Sequence, residues 1–345
     1  MSSTRELQSF LNTLVSNGIY DPVMIWGAPG LGKSSVVAAT ANQFNLKFVD
    51  VRISQITPAD LRGLPAADIP NNSFKYLPPD FLPKAGDLPG VLFLDEITQA
   101  PPAVQAITQQ LILDRRVGSY ILPDNWFIWA AGNRQQDKTA VYSMPTALAN
   151  RFHHVEVSID FETWKLDYAL ANIDEAIVSF LSLRPELLHK MQVDSHAWPS
   201  PRSWAMANRL HQANLNIGYA VGPATAAEFA GFLIVYKDLP NLDAIVSGKG
   251  KDIKWPKQEV SAQYAVTIGL LQRCLKASNA ELVNIVKWMA IKGRPEYSTK
   301  MLHELLDMGP KRVPGLLHLM SSINRDPDLD MFVGQAHELG KLAQQ

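Results

Sequence analysis

The 345 residues carry 32 lysines and arginines against 33 aspartates and glutamates, a net charge of −1, which removes any global electrostatic case for a nucleic-acid or membrane-surface binder. With 47% hydrophobic and 19% charged residues the composition is that of a soluble globular protein, and the length asks for two or three domains. The one cysteine, Cys274, excludes an intramolecular disulfide and a cysteine zinc cluster, and the apolar run Ile268 to Leu275 marks it as a core residue. No signal-like segment opens the sequence and no apolar run approaches the ~18 residues of a bilayer span, so no membrane association and a cytoplasmic location are expected.

In chain order, Thr4 to Val15 predicts an amphipathic helix through Leu7, Phe10, Leu11 and Leu14, closed by Gly18. Pro22 to Trp26 reads as a buried strand, Ser35 to Ala41 as a helix and Leu46 to Val51 as a second strand. Residues 54–89 then break the rhythm with Pro, Asp and Asn. Within them Asn71-Asn72-Ser73 signals a turn, and Phe74-Lys75-Tyr76 alternates like a hairpin arm. Val91 to Glu96 is a strand ending in two carboxylates, Pro102 to Leu113 a helix, and Val117 to Leu122 a hairpin. Trp126 to Asn133 is an apolar strand with a polar tip, Pro145 to Asn150 a short helix, and His153 to Val157 the last strand. From Phe161 the pattern turns helical, with its clearest stretches at 164–171, 174–183, 201–213, 222–236, 261–275, 280–290 and 298–307. Ser247 to Asp252 reads as a polar connector.

The stretch that organises the chain is Gly27-Ala28-Pro29-Gly30-Leu31-Gly32-Lys33-Ser34, which fits G-x-x-x-x-G-K-[ST] between a strand and a helix. Glycines let successive backbone N–H groups turn inward onto a polyphosphate at the helix N-terminus, and Ser35 continues that turn. Lys33 would reach the β- and γ-phosphates of ATP, and Ser34 would ligate Mg²⁺. Asp95, at the carboxyl end of an apolar parallel strand, would sit beside this loop and share the metal; Glu96 would polarise the attacking water. Asn133, a neutral amide at another strand end, can bridge water and γ-phosphate. Arg151 could deliver a guanidinium to a neighbouring subunit's γ-phosphate, with Arg134 as a rival, and Arg202 could reach a phosphate from the helical part.

In this order the motifs resemble those of the AAA+ ATPases: Gly27 to Ser34 as Walker A, Val91 to Glu96 as Walker B, Asn133 as sensor 1, Arg151 as arginine finger and Arg202 as sensor 2. Asp95-Glu96-Ile97-Thr98-Gln99-Ala100-Pro101-Pro102 looks like the Asp-Glu-Ile-Asn-Arg-Ala-Pro-Pro run of the MoxR-type members, with Thr98 and Gln99 in place of the Asn-Arg pair. Ala59 to Pro65 looks like the segment preceding that family's helix-2 insert. The resemblance, which covers roughly Asp21 to Tyr236, implies an α/β core with a parallel five-stranded sheet over 1–160 and a helical lid over 161–240; 241–345 reads from its own pattern as a helical C-terminal extension. It also implies a homo-oligomeric, usually hexameric ring with ATP at subunit boundaries, acting as a remodelling motor or chaperone on a protein client, often with a von Willebrand factor A domain partner. Phe74, Lys75, Tyr76, Arg116 and Tyr120 would then lie on pore-facing hairpins. A motor acting on DNA or RNA through Arg62, Lys75, Arg115 and Arg116 is possible but not favoured, since basic density there is modest. A slow-hydrolysing, ATP-gated scaffold is the third reading, and Glu96 and Arg151 speak against it.

Overall fold

The computed structural model describes residues 2–134, 137, 141–192, 195–236, 239–323, 325–330 and 332–334. The chain divides into two compact units, Met1–Asp160 and Phe161–Gln345.

The first unit opens with α1 (Thr4–Asn17), where Ser3 and Glu6 cap each other reciprocally and Gly18 closes the helix at φ 62°. There follow β1 (Val23–Trp26), α2 (Lys33–Gln43), β2 (Lys47–Arg52), α3 (Pro58–Arg62), β3 (Leu64–Asp68), β4 (Ser73–Leu77), β5 (Gly90–Asp95) and α4 (Pro102–Asp114). The unit ends with β6 (Arg116–Val117), β7 (Tyr120–Ile121), β8 (Trp126–Gly132), α5 (Thr146–Ala149) and β9 (His153–Glu156). Five strands form one sheet in the order β2-β5-β8-β1-β9, and every pairing is parallel.

Such a sheet must be apolar on both faces, and alternation along each strand supplies them. Val23, Ile25 and Phe93 point to the side covered by Leu7 and Leu11 of α1 and Val37 of α2. Met24, Leu92 and Leu94 point to the other, covered by Leu111 of α4 and by Leu148. The order sets the ends of β5, β8 and β1 side by side, and therefore Asp95, Asn133 and Gly27. Parallel sheets hold ligands at those carboxyl ends.

Two small antiparallel hairpins leave this core. The arm expected at Phe74-Lys75-Tyr76 is β4; its partner β3, not expected from the sequence, pairs Leu64 with Leu77 and Ala67 with Phe74. Asn72 takes the left-handed turn conformation at φ 46°. The second hairpin is β6–β7, as expected.

The second unit is helical: α6 (Phe161–Trp164), a π turn (Lys165–Ala169), α7 (Leu170–Asn172), α8 (Glu175–Leu183), α9 (Pro201–Gln212), α10 (Gly218–Val221), α11 (Pro223–Tyr236), α12 (Leu242–Val246), α13 (Val260–Cys274), α14 (Asn279–Lys292), α15 (Pro295–Arg312) and α16 (Leu316–Ile323). The continuous helix expected over 164–171 is interrupted because the π turn carries Lys165 inward, where its ammonium meets Glu304 Oε1 at 2.7 Å. α15 breaks at Gly309 (φ 67°), because Pro310 has no N–H to continue the ladder. Helices from both sides of residue 240 share one packing: α13 lies against α8 and α11. Cys274 is buried in it, and burial pushes its thiol pKa up. Among the described residues no helix is long and apolar enough to cross a membrane.

Candidate active site

β1 ends at Trp26, and the chain turns at once into the glycine loop. Gly27 leaves no room for a side chain, since a Cβ there would lie 2.9 Å from Val157 O. Its N–H donates to Gly132 O at 3.3 Å, tying the loop to the end of β8. Gly30 (φ 81°) and Gly32 (φ 87°) take left-handed backbone, and Gly32 is the N-cap of α2. Ala28 and Leu31 are buried beneath the loop, and Pro29 is partly covered.

Lys33 is buried, and its ammonium donates to Gly27 O (2.6 Å), Ala28 O (3.1 Å) and Asn133 Oδ1 (3.2 Å). Ser34 Oγ donates to Asp95 Oδ2 at 3.0 Å, and Ser35 is exposed on the next position of the helix. A hydroxyl and a carboxylate side by side are hard oxygen donors suited to Mg²⁺. The fold thus brings Lys33, Ser34, Asp95 and Asn133 together.

Glu96 departs from the strand. It adopts a left-handed backbone (φ 57°, ψ 30°), unusual for a residue with a side chain, and its carboxylate accepts a hydrogen bond from Ser54 Oγ. Its N–H donates back to Asp95 Oδ1 at 2.9 Å. Asp50 on β2 belongs to the same acidic group. Desolvation, then the Asp95 carboxylate and more weakly Glu96, raise its pKa against the opposing pull of Arg52.

Asn133 is held by Thr98, whose Oγ1 accepts from Asn133 N (3.1 Å) and donates to Asn133 O (3.2 Å). Thr98 fills the space beside Gly132, where a Cβ would meet its side chain at 2.7 Å. Thr98 is therefore the residue that seats the strand-end amide. Sequence reading missed Ser54, Thr98, Asp50 and Gly132. Only the glycine closing an apolar strand gave any local signal.

The two candidate arginines differ. Arg134 is bound within its own unit: Asp137 accepts from its backbone N (2.7 Å) and from its Nη2 (3.0 Å), and Glu156 lies 3.7 Å from Nη1. Arg151 is exposed, and its side chain has no hydrogen bond or ion pair among the described residues. Arg202 lies in the second unit, exposed on the first turn of α9, a helix begun by Pro201 and capped by Ser200.

Of the hairpin residues, Phe74 is 61% exposed and packs edge-on against Tyr76 at 5.4 Å. Lys75 is exposed but paired with Asp68 at 2.7 Å, and Arg116 is exposed. Tyr120 corrects the sequence expectation. It is only 7% exposed, its ring lies in the core and its hydroxyl donates to Pro83 O at 2.7 Å, so it offers no surface aromatic; Ile121 is exposed instead. Burial raises the Tyr120 pKa well above its ordinary value. Arg115 also turns inward, donating to Pro123 O and Trp126 O, both at 2.7 Å.

Residues 22–152, most of the first unit, match the family model of the AAA domain (dynein-related subfamily). Midasin of Giardia intestinalis is 28% identical over 169 residues, 46% of this chain and 3% of that protein; the chain thus spans a very small part of that relative's length. Among solved structures, NtrX from Brucella abortus in complex with ADP gives a TM-score of 0.41 at 16% identity, over 87% of this chain and 65% of that one. The RuvB Holliday junction branch migration motor of Thermotoga maritima gives 0.37 at 16% identity, over 81% and 86%.

Proposed function

We propose that the chain is an ATP-hydrolysing AAA+ motor that works as a homo-oligomeric ring, of six subunits on the MoxR pattern, and remodels a protein client. The observation that carries the reading is the convergence of Lys33, Ser34, Asp95 and Asn133 on one glycine-lined loop, with Glu96 beside them. Lys33 would exchange the Gly27 and Ala28 carbonyls for β- and γ-phosphate oxygens. Ser34 and Asp95 would hold Mg²⁺, whose charge would offset that of the phosphates. Glu96, released from Ser54, would orient the attacking water and draw its proton. Asn133 would keep its Oδ1 on Lys33 and turn its amide N–H groups to a phosphate oxygen or to the water. Arg151 would reach the γ-phosphate of the neighbouring subunit. Arg202 would reach a phosphate from the helical part, with 161–240 as lid and 241–345 as extension.

Exposed Phe74 on β4 supports a protein client, and a von Willebrand factor A domain partner and a cytoplasmic location come with the MoxR reading. A nucleic-acid track is disfavoured, since Arg115 points inward and Lys75 is neutralised by Asp68. The test is ATP turnover of the purified chain beside Lys33→Ala and Glu96→Gln. Lys33→Ala should lose nucleotide binding. Glu96→Gln should bind ATP with turnover reduced by about 10²-fold or more. Full turnover in Glu96→Gln would sink the assignment.

A further inference from the structure

Trp26 is the last residue before the glycine loop. Its indole Nε1–H donates to His154 Nδ1 at 2.8 Å, and the two rings stack with centroids 5.9 Å apart and 19° between planes. The other imidazole nitrogen, Nε2, lies 2.7 Å from Ala149 O. An indole nitrogen can only donate and a carbonyl oxygen can only accept. Both contacts are hydrogen bonds only when His154 is neutral with its proton on Nε2, so two partners fix one tautomer.

Ala149 O belongs to the turn that carries Arg151. It also accepts from Phe152 N at 3.2 Å, while Arg151 N donates to Leu148 O at 3.1 Å. Leu148 and Phe152 are buried on either side, and Phe152 meets the His154 ring edge-on at 6.1 Å. The backbone of the turn is thus pinned, and the guanidinium between the pins stands in solvent. The imidazole is the polar side chain that joins this turn to the residue abutting the phosphate loop.

We infer that His154 is a positioning residue for Arg151, coupling the aim of that arginine to the end of β1. This rests on the reading of Arg151 as the group that serves a γ-phosphate. His154 sets the turn through Ala149 O, Trp26 sets His154, and Gly27 follows Trp26 in the chain. A displacement of the glycine loop on nucleotide binding would therefore reach the Arg151 turn through two hydrogen bonds.

The test compares full-length chains carrying Arg151→Ala, His154→Leu, His154→Gln and Trp26→Phe, and the Arg151→Ala/His154→Leu pair, by kcat, by ATP-analogue affinity and by doping each variant into wild-type protein. His154→Leu should lower kcat by about tenfold, as expected for two lost hydrogen bonds, with analogue affinity unchanged within about threefold. Trp26→Phe, which keeps an aromatic ring and removes one donor, should lower kcat by a smaller factor. His154→Gln, which can both accept and donate, should recover most of the loss. The double variant should be no slower than Arg151→Ala alone, because the imidazole acts through the arginine. Additive losses, a fall in analogue affinity that tracks kcat, or unchanged kcat in both His154→Leu and Trp26→Phe would each overturn the inference. Doping tells its failure from that of the reading beneath it. If Arg151→Ala does not depress wild-type neighbours, the trans role falls whatever His154 does. If Arg151→Ala depresses them and His154→Leu does not, only the coupling falls.

Discussion

The turn after β8 and the turn after α5 each present an arginine beside the sheet, and they are built in opposite ways. After β8 the backbone is fixed by Thr98 and the Arg134 side chain is fixed too, by Asp137 and Glu156. After α5 the backbone is fixed by Leu148, Phe152 and His154, while the Arg151 side chain is left exposed. A guanidinium already satisfied by two carboxylates has little to gain from a phosphate. A guanidinium held in solvent on a rigid base loses little on meeting one. The difference separates an arginine paired within its own unit from one left exposed, as the role proposed for Arg151 requires.

The sharpest way to break that contrast is Arg151→Ala. Turnover should fall by about 10²-fold or more, as when a transition-state arginine is withdrawn, with analogue affinity nearly unchanged. Mixed assemblies should lose more activity than their share of variant. Next comes Gly132→Ala. The added methyl would overlap Thr98 and the Met24 Cε atom at 2.7–2.8 Å, displacing Asn133 and costing about 1–3 kcal/mol in a denaturation midpoint. Thr98→Val keeps the shape and removes the hydroxyl, leaving Asn133 N unpaired. A loss of about 1–3 kcal/mol is expected, with turnover down several-fold. The smallest catalytic effect belongs to Arg134→Ala: kcat within about threefold, no poisoning of neighbours, and about 1–2 kcal/mol lost in stability. Poisoning by Arg134→Ala with Arg151→Ala silent would exchange the two roles.

Much of this site is legible in the sequence because it is local. Gly27 to Ser34 is one continuous turn, and Asp95, Glu96 and Asn133 each close an apolar run. The rest depends on contacts between distant segments. Ser54 and Glu96 are 42 residues apart, and Thr98 and Asn133 are 35 apart. Nothing near Ser54 or Thr98 marks either as a partner before strand order is known. Strand alternation located Phe74 correctly on a hairpin arm, but β7 is only two residues long. So short a strand has too little pattern to tell that Tyr120 faces the core and Ile121 the solvent. In the helical half, the π turn at Lys165 follows from a partner at Glu304, 139 residues away.

The base of the β6–β7 hairpin has a mechanical consequence. Arg115 splints it, gripping Pro123 O in the connecting turn and Trp126 O at the start of β8, and Ser119 Oγ fastens the β3–β4 hairpin to it through Tyr76 O at 2.7 Å. An isolated two-stranded ribbon is only marginally stable by itself. Joined in this way, the two ribbons would move together, with Arg115 at their base. A tug on Phe74 would run through Tyr76 and Ser119 into the first residues of β8, whose other end carries Asn133.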